Sequence, residues 1–91
     1  MIIVSQDKTK IVNFDNLIQI YITQDEEETA NFIRYESVDS LYEDLGEYKT
    51  EERAKKVLQE IIETYRDYKT AELDGYANVL QNTVVYEMPE E

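Results

Sequence analysis

The feature that most restricts the fold is an apolar stripe in the second half of the chain. Ala54, Val57, Leu58, Ile61, Ile62 and Tyr65 repeat at i, i+3, i+4, i+7, i+8 and i+11, the spacing of one helix face. A helix with one apolar face needs a second layer to cover it, and fully burying each larger aliphatic contributes about 1.5–3 kcal/mol. Thr50 is suited to the N-cap, and Glu51 and Glu52 fall in the first turn, where the helix dipole favours anions. Arg53 stands where a capping box would place Glu or Gln, so that motif is incomplete. Glu51–Lys55 and Glu52–Lys56 are i, i+4 pairs worth about 0.3–0.5 kcal/mol each. The helix is expected to fray between Asp67 and Thr70.

Strand patterns ahead of the helix supply the covering layer. Residues 1–5 (MIIVS) and 10–14 (KIVNF) are short apolar runs around a polar turn in which Asp7 fits well, and they read as a hairpin. Asp15-Asn16 breaks the pattern. In residues 17–23 (LIQIYIT), Ile18, Ile20 and Ile22 alternate with Gln19, Tyr21 and Thr23, the period of a strand with one buried face. Residues 24–29 (QDEEET) read as a solvated loop. Residues 31–37 (NFIRYES) read as a strand covered on its Ile33/Tyr35 side, with Phe32, Arg34 and Glu36 on the other. Residues 41–48 (LYEDLGEY) fit a strand or a short helical turn closing at Gly46, and the strand is preferred. In the tail, Asp74-Gly75 marks a turn and residues 83–88 (TVVYEM) a short strand stopped by Pro89, while 76–82 is open to either helix or strand. The expected fold is α+β: an antiparallel β-meander of four to five strands, one main amphipathic helix packed on one face, and room for a short C-terminal strand. No linker or repeat interrupts it, so residues 1–91 read as a single domain.

Charge then bears on function. The 91 residues hold 21 Asp and Glu against 9 Lys and Arg, a formal net charge of −12, with no Cys and no His. That inventory excludes disulfides, thiol nucleophiles, zinc-finger patterns and His-dependent catalysis. Net negative charge disfavours nucleic acid and anionic lipid as direct partners, and no apolar run is long enough to span a bilayer. The expected setting is cytoplasmic. A basic protein is the favoured partner; acidity serving only solubility is the plain alternative.

Two acid clusters stand out. Consecutive Asp25, Glu26, Glu27 and Glu28 cannot all face one ion and lack the spaced pattern of a calcium loop, so no metal site is expected there. Glu36, Asp39, Glu43, Asp44 and Glu47, interleaved with Tyr42 and Tyr48 and followed by Glu51 and Glu52, form an extended carboxylate array. On a strand, same-face carboxylates recur about every 6.6 Å, which would suit the basic channel of a nuclease as a nucleic-acid mimic does. Glu36, Asp39, Tyr42, Glu43, Asp44, Glu47 and Tyr48 are therefore the candidate partner-binding residues; an acidic edge that resists aggregation is the structural alternative. The serines lack an activating base and neither glycine begins a phosphate-binding loop, so no enzyme activity and no cofactor are expected. Tyr65, Tyr68, Tyr76, Tyr86 and Arg66 allow a stacking pocket for a small nucleotide, in an oligomeric protein that sequesters it between subunits. Tyr residues at such spacing also serve as core margin or as a homo-oligomer interface.

Residues 45–61 (LGEYKTEERAKKVLQEI), with the opening 4–8 (VSQDK) and closing 85–90 (VYEMPE), resemble small proteins of phages, prophages and other mobile elements of low-GC Gram-positive bacteria. The resemblance covers the two ends and the helix, leaves 24–44 unmatched, and implies origin without supplying an activity or functional residues. Small acidic proteins of such genomes often inhibit host defence systems, which is an argument from neighbourhood. The expectation is thus a non-enzymatic acidic inhibitor of a basic host protein such as a defence nuclease, an anti-CRISPR protein being one form. A structural or regulatory phage protein is the remaining alternative.

Overall fold

The computed structural model describes residues 1–27, 29–73 and 84–91, with backbone alone at 70–73. The chain forms β1 (Ile2–Val4), β2 (Ile11–Asn13), a 3-10 turn (Phe14–Asn16), β3 (Leu17–Gln24), β4 (Asn31–Ser37), β5 (Tyr42–Tyr48), α1 (Glu51–Leu73) and β6 (Val85–Glu87). This is the α+β architecture of strands, one main helix and a short closing strand. The strands divide into two sheets. β3, β4 and β5 make an antiparallel meander, while β1 lies between antiparallel β2 and parallel β6.

The helix packs across β3, β4 and β5. Thr50 caps it as expected: its hydroxyl accepts the Arg53 N–H at 3.0 Å and its carbonyl accepts the Ala54 N–H at 3.1 Å. Ala54, Val57 and Ile61 are sealed into the core with Ile3, Ile33, Tyr35, Leu45, Tyr48 and Met88. Leu58 and Tyr65 sit at the margin and Ile62 is 42% exposed, so the stripe is wider than the sheet covers. Of the two i, i+4 ion pairs, Glu51–Lys55 closes at 3.3 Å, the only one of the two within ion-pair distance. The helix does not end between Asp67 and Thr70. Helical backbone is described through Leu73, in keeping with Ala71, Glu72 and Leu73 being good helix formers, and the expected Asp74-Gly75 turn lies outside the described residues.

Alternation holds in β4, where Ile33 and Tyr35 are buried under the helix. In β3 it shifts. A bulge between Leu17 and Gln19 leaves Ile18 out of register and 59% exposed, and Leu17 joins Ile20 and Ile22 against the core in its place.

Beyond the core they share, the two sheets are bonded to each other by Gln6. Its N–H donates to the Leu45 carbonyl at 2.8 Å, its side-chain Oε1 accepts the Glu47 N–H at 2.8 Å, and its Nε2 donates to the carbonyls of Glu47 and Glu90 at 2.9 and 2.8 Å. Lys10 Nζ adds a 3.4 Å bond to the Asp44 carbonyl. The hairpin turn before β2 is built around Asp7, whose Oδ1 accepts from the Ser5 hydroxyl, the Thr9 N–H and the Thr9 hydroxyl at 2.8, 3.0 and 2.7 Å. Lys8 takes a left-handed conformation there, with φ of 64°. The stretch expected to be helix or strand at 76–82 lies outside the described residues.

Candidate partner-binding surface

With α1 covering one face of β3–β4–β5, alternation assigns the other face to solvent. Pairing arranges it in three cross-strand rows: Gln19–Glu36–Tyr42, Tyr21–Arg34–Asp44 and Thr23–Phe32–Glu47. The composition of the third row depends on a second bulge. Ile33 pairs with Gly46 and Arg34 with Asp44, so Leu45 is an extra residue that resets the phase of β5. Without it Glu47 would share a face with Glu43 and Tyr48 with Asp44. With it, Glu47 joins Asp44 and Tyr42 on the open face, and Tyr48 turns into the core.

The rows are bonded internally. Glu36 accepts from Gln19 Nε2 at 2.7 Å and from the Tyr42 hydroxyl at 2.9 Å. The hydrogen bond to Glu36 holds the Tyr42 phenol above its ordinary pKa. Arg34 Nε meets Asp44 Oδ1 at 2.7 Å, and that bond raises the guanidinium pKa against the opposing effect of burial. Arg34 thus stands as a cation in the middle of the acidic face.

The candidate residues therefore separate. Glu36, Tyr42, Asp44 and Glu47 come together on the open face. Glu43 lies on the helix side at the exposed rim, where it accepts the Tyr35 hydroxyl at 2.7 Å. Burial first, and then that bond, push the Tyr35 phenol up to about 12. Asp39 is exposed in the β4–β5 turn beside Ser40, whose φ is 65°. Tyr48 does not belong to the surface: it is 2% exposed, donates its hydroxyl to the Pro89 carbonyl at 2.9 Å, and burial pushes its pKa up to about 12.

The acidic loop after β3 spends its first carboxylate on closing the hairpin. Asp25 accepts from the Thr29 N–H, the Ala30 N–H and the Thr29 hydroxyl at 2.7, 3.2 and 2.6 Å, which lowers its pKa, with the Thr29 hydroxyl the largest cause. Glu26 and Glu27 are exposed, and Glu28 lies outside the described residues. No group of three or more potential ligands is arranged to hold a metal among the described residues. Nor is any described helix long and apolar enough to cross a membrane.

The described tyrosines of the stacking reading make separate contacts. Tyr65 packs on Phe14 with ring centroids 4.6 Å apart and on Tyr68 at 6.2 Å, and Lys69 Nζ lies 5.5 Å from both tyrosine rings. Tyr86 instead donates its hydroxyl to Glu60 at 2.9 Å, and Tyr76 lies outside the described residues. A different hollow of about 380 Å³ opens where the tail meets the start of α1, lined by Thr29, Tyr48, Lys49, Arg53 and Glu91 among others. Arg53 sits 6.0 Å from the Tyr48 ring centroid and donates Nε to the Glu91 carbonyl at 2.8 Å. No local pattern announces this hollow, because it exists only once residues some 40 apart are brought together.

Comparison with protein-family models, with curated proteins and with solved structures finds no match.

Proposed function

We propose that the protein is a non-enzymatic acidic binding protein of phage or mobile-element origin. It inhibits a basic host protein, such as a defence nuclease, by presenting carboxylates where that protein expects phosphates. The observation that supports this reading is the open face of β3–β4–β5, where Glu36, Asp44 and Glu47 share one sheet surface with Tyr42, and Asp39 and Glu43 extend the charge along the rim. Lys and Arg of the partner would pair with the exposed carboxylates, and the Tyr42 ring offers an apolar contact between them. Asp44, already bonded to Arg34, serves more to order the surface than to bind.

The test is a tagged pull-down from a Gram-positive host lysate at low and high salt, repeated with Asp39→Lys, Glu43→Lys and Glu47→Lys combined. A basic nucleic-acid-binding protein retained at low salt, lost at high salt and lost with the variant is the expected outcome. Full retention by the variant overturns the surface.

A second reading, an oligomer that sequesters a small nucleotide, is favoured by the hollow beside Tyr48. There the Arg53 guanidinium and Lys49 lie beside the edge of Tyr48, on a wall that also holds Glu47, Glu90 and Glu91. Its check is an ultraviolet-absorbing ligand released on heat denaturation of the purified protein.

A further inference from the structure

We propose that β3 is a dimerisation edge, pairing antiparallel with β3 of a second copy about a two-fold axis and extending the meander to six strands. The inference rests on neither functional reading above.

Each three-stranded sheet has two edges, and in the meander they are treated differently. The β5 edge is occupied by Gln6 and Lys10, which bond the main-chain groups of Asp44, Leu45 and Glu47. β3 is the longest strand, with eight residues, and among the described residues no further strand pairs with its outer side. Its alternate N–H and C=O groups are a ready template for another strand. The bulge at Ile18 disturbs only one end, and Gln19 to Gln24 pair regularly with β4.

Charge selects the occupant. β4 and β5 carry Arg34, Glu36, Glu43, Asp44 and Glu47, whereas Leu17–Gln24 contains no charged residue. In a chain of net charge −12, a second copy is repelled by much of the surface, and β3 is an edge along which two copies can approach without opposing carboxylates directly; the β2 edge is also uncharged but only three residues long. The strand is also rich in β-branched side chains and free of Pro and Gly.

Apolar surface lies along the same margin. A hollow of about 240 Å³ is lined by Phe14, Ile20 of β3, and Leu58, Ile61, Ile62 and Tyr65 of α1, with no side chain from β4 or β5. It therefore marks the β3 side of the helix–sheet interface, where Ile62 is 42% exposed, and Ile18 of the same edge strand is 59% exposed. Pairing of two β3 edges brings these apolar margins together, which covers the part of the helix stripe that one copy leaves open.

Sedimentation or light scattering of the intact protein at about 100 µM, a concentration that populates even a weak dimer, tests the proposal. The expected mass is twice 10.8 kDa. Added salt should raise the dimer fraction, because it screens repulsion between two acidic copies, the opposite of its effect on a basic partner. Ile18→Lys with Ile62→Glu should weaken the dimer by about tenfold or more while circular dichroism confirms the fold. Because the chain has no Cys, Tyr21→Cys at the centre of the regular part of β3, where the two-fold axis would fall, should alone form an inter-copy disulfide under oxidation, and Glu87→Cys on β6 should not. A monomer at that concentration, or a dimer indifferent to the Ile18/Ile62 pair, overturns the proposal.

Discussion

In the β3–β4–β5 sheet, strands of eight, seven and seven residues hold one another by long ladders and close over a helix, whereas the β2–β1–β6 sheet consists of three strands of three residues each. A ladder that short does not stand alone, since even an isolated hairpin of ordinary length is marginal in water. The small sheet is held instead from outside its own strands. Gln6 stitches it to β5 and to the tail, Asp7 organises its turn, and the Met88 N–H bonds the Val4 carbonyl at 3.0 Å. Tyr86 and Arg53 tie the tail to α1. The difference teaches that the large sheet has long ladders of its own, whereas the small one depends on the core side chains Ile3 and Met88 and on specific hydrogen bonds between distant segments. The two should therefore fail under different perturbations.

The largest expected effect comes from the shared core. Ile61 is fully buried between the helix and the large sheet, and Ile61→Ala should cost about 2–5 kcal/mol. Urea unfolding should show a single transition moved to lower denaturant, since both sheets lean on that core. Next comes Gln6→Ala, which deletes three side-chain bonds to main chain and leaves the Glu47 N–H without its partner. It should cost about 1–3 kcal/mol. Here the loss should be uneven: hydrogen exchange should quicken in β1, β2 and the tail while β3 and β4 keep their protection. Uniform acceleration would show that the two sheets are one cooperative unit.

The contrast also explains what could be read from the amino-acid order. The helix stripe, its Thr50 cap, and the Ile33/Tyr35 face of β4 are local patterns, and each appears where its period placed it. The two bulges defeat the period-2 reading. One removes Ile18 from the buried set and the other exchanges the faces of Glu47 and Tyr48. Both have the same cause, since a single added residue reverses the phase of everything beyond it. The candidate surface was thus legible as a strand-borne acid array, and four of its residues do share a face. Tyr48 was not legible as core, because Pro89, 41 residues away, supplies its hydrogen-bond partner. Gln6 carries no sequence signal at all. An exposed-looking glutamine becomes structural only through main-chain groups of β5 and the tail.

Acid offers a finer separation of the two regions. Hydrogen bonds from the Thr9 and Ser5 hydroxyls hold the Asp7 carboxyl at a pKa of about 2, below the ordinary value near 3.9 of an unfolded chain. Because the folded pKa is depressed, the stabilisation is present above about pH 4 and disappears as pH falls toward about 2. Amide protection at residues 5–10 should fall through that window, and Asp7→Asn should remove the dependence. Hydrogen bonds also lower the Asp25 carboxyl in the β3–β4 loop, which should loosen too once acid protonates it, so the informative amides are those inside the ladder of β3 and β4, which should persist.

The smallest effect is expected on the open face itself. The Arg34–Asp44 bond is short, at 2.7 Å, but both side chains remain more than a third exposed. Water competes with the pair and salt screens it, so a double-mutant cycle of Arg34→Ala and Asp44→Ala should give a coupling of about 0–1 kcal/mol, smaller in high salt. Arg34→Ala also removes the one cation in the middle of the acidic face. If that face binds a basic partner, the variant should bind more tightly while its stability hardly changes. Arg34 would then be a residue that limits affinity by neutralising Asp44. A variant that binds more weakly would instead assign the ordering of Asp44 to Arg34, and the value of the surface to its geometry more than to its net charge.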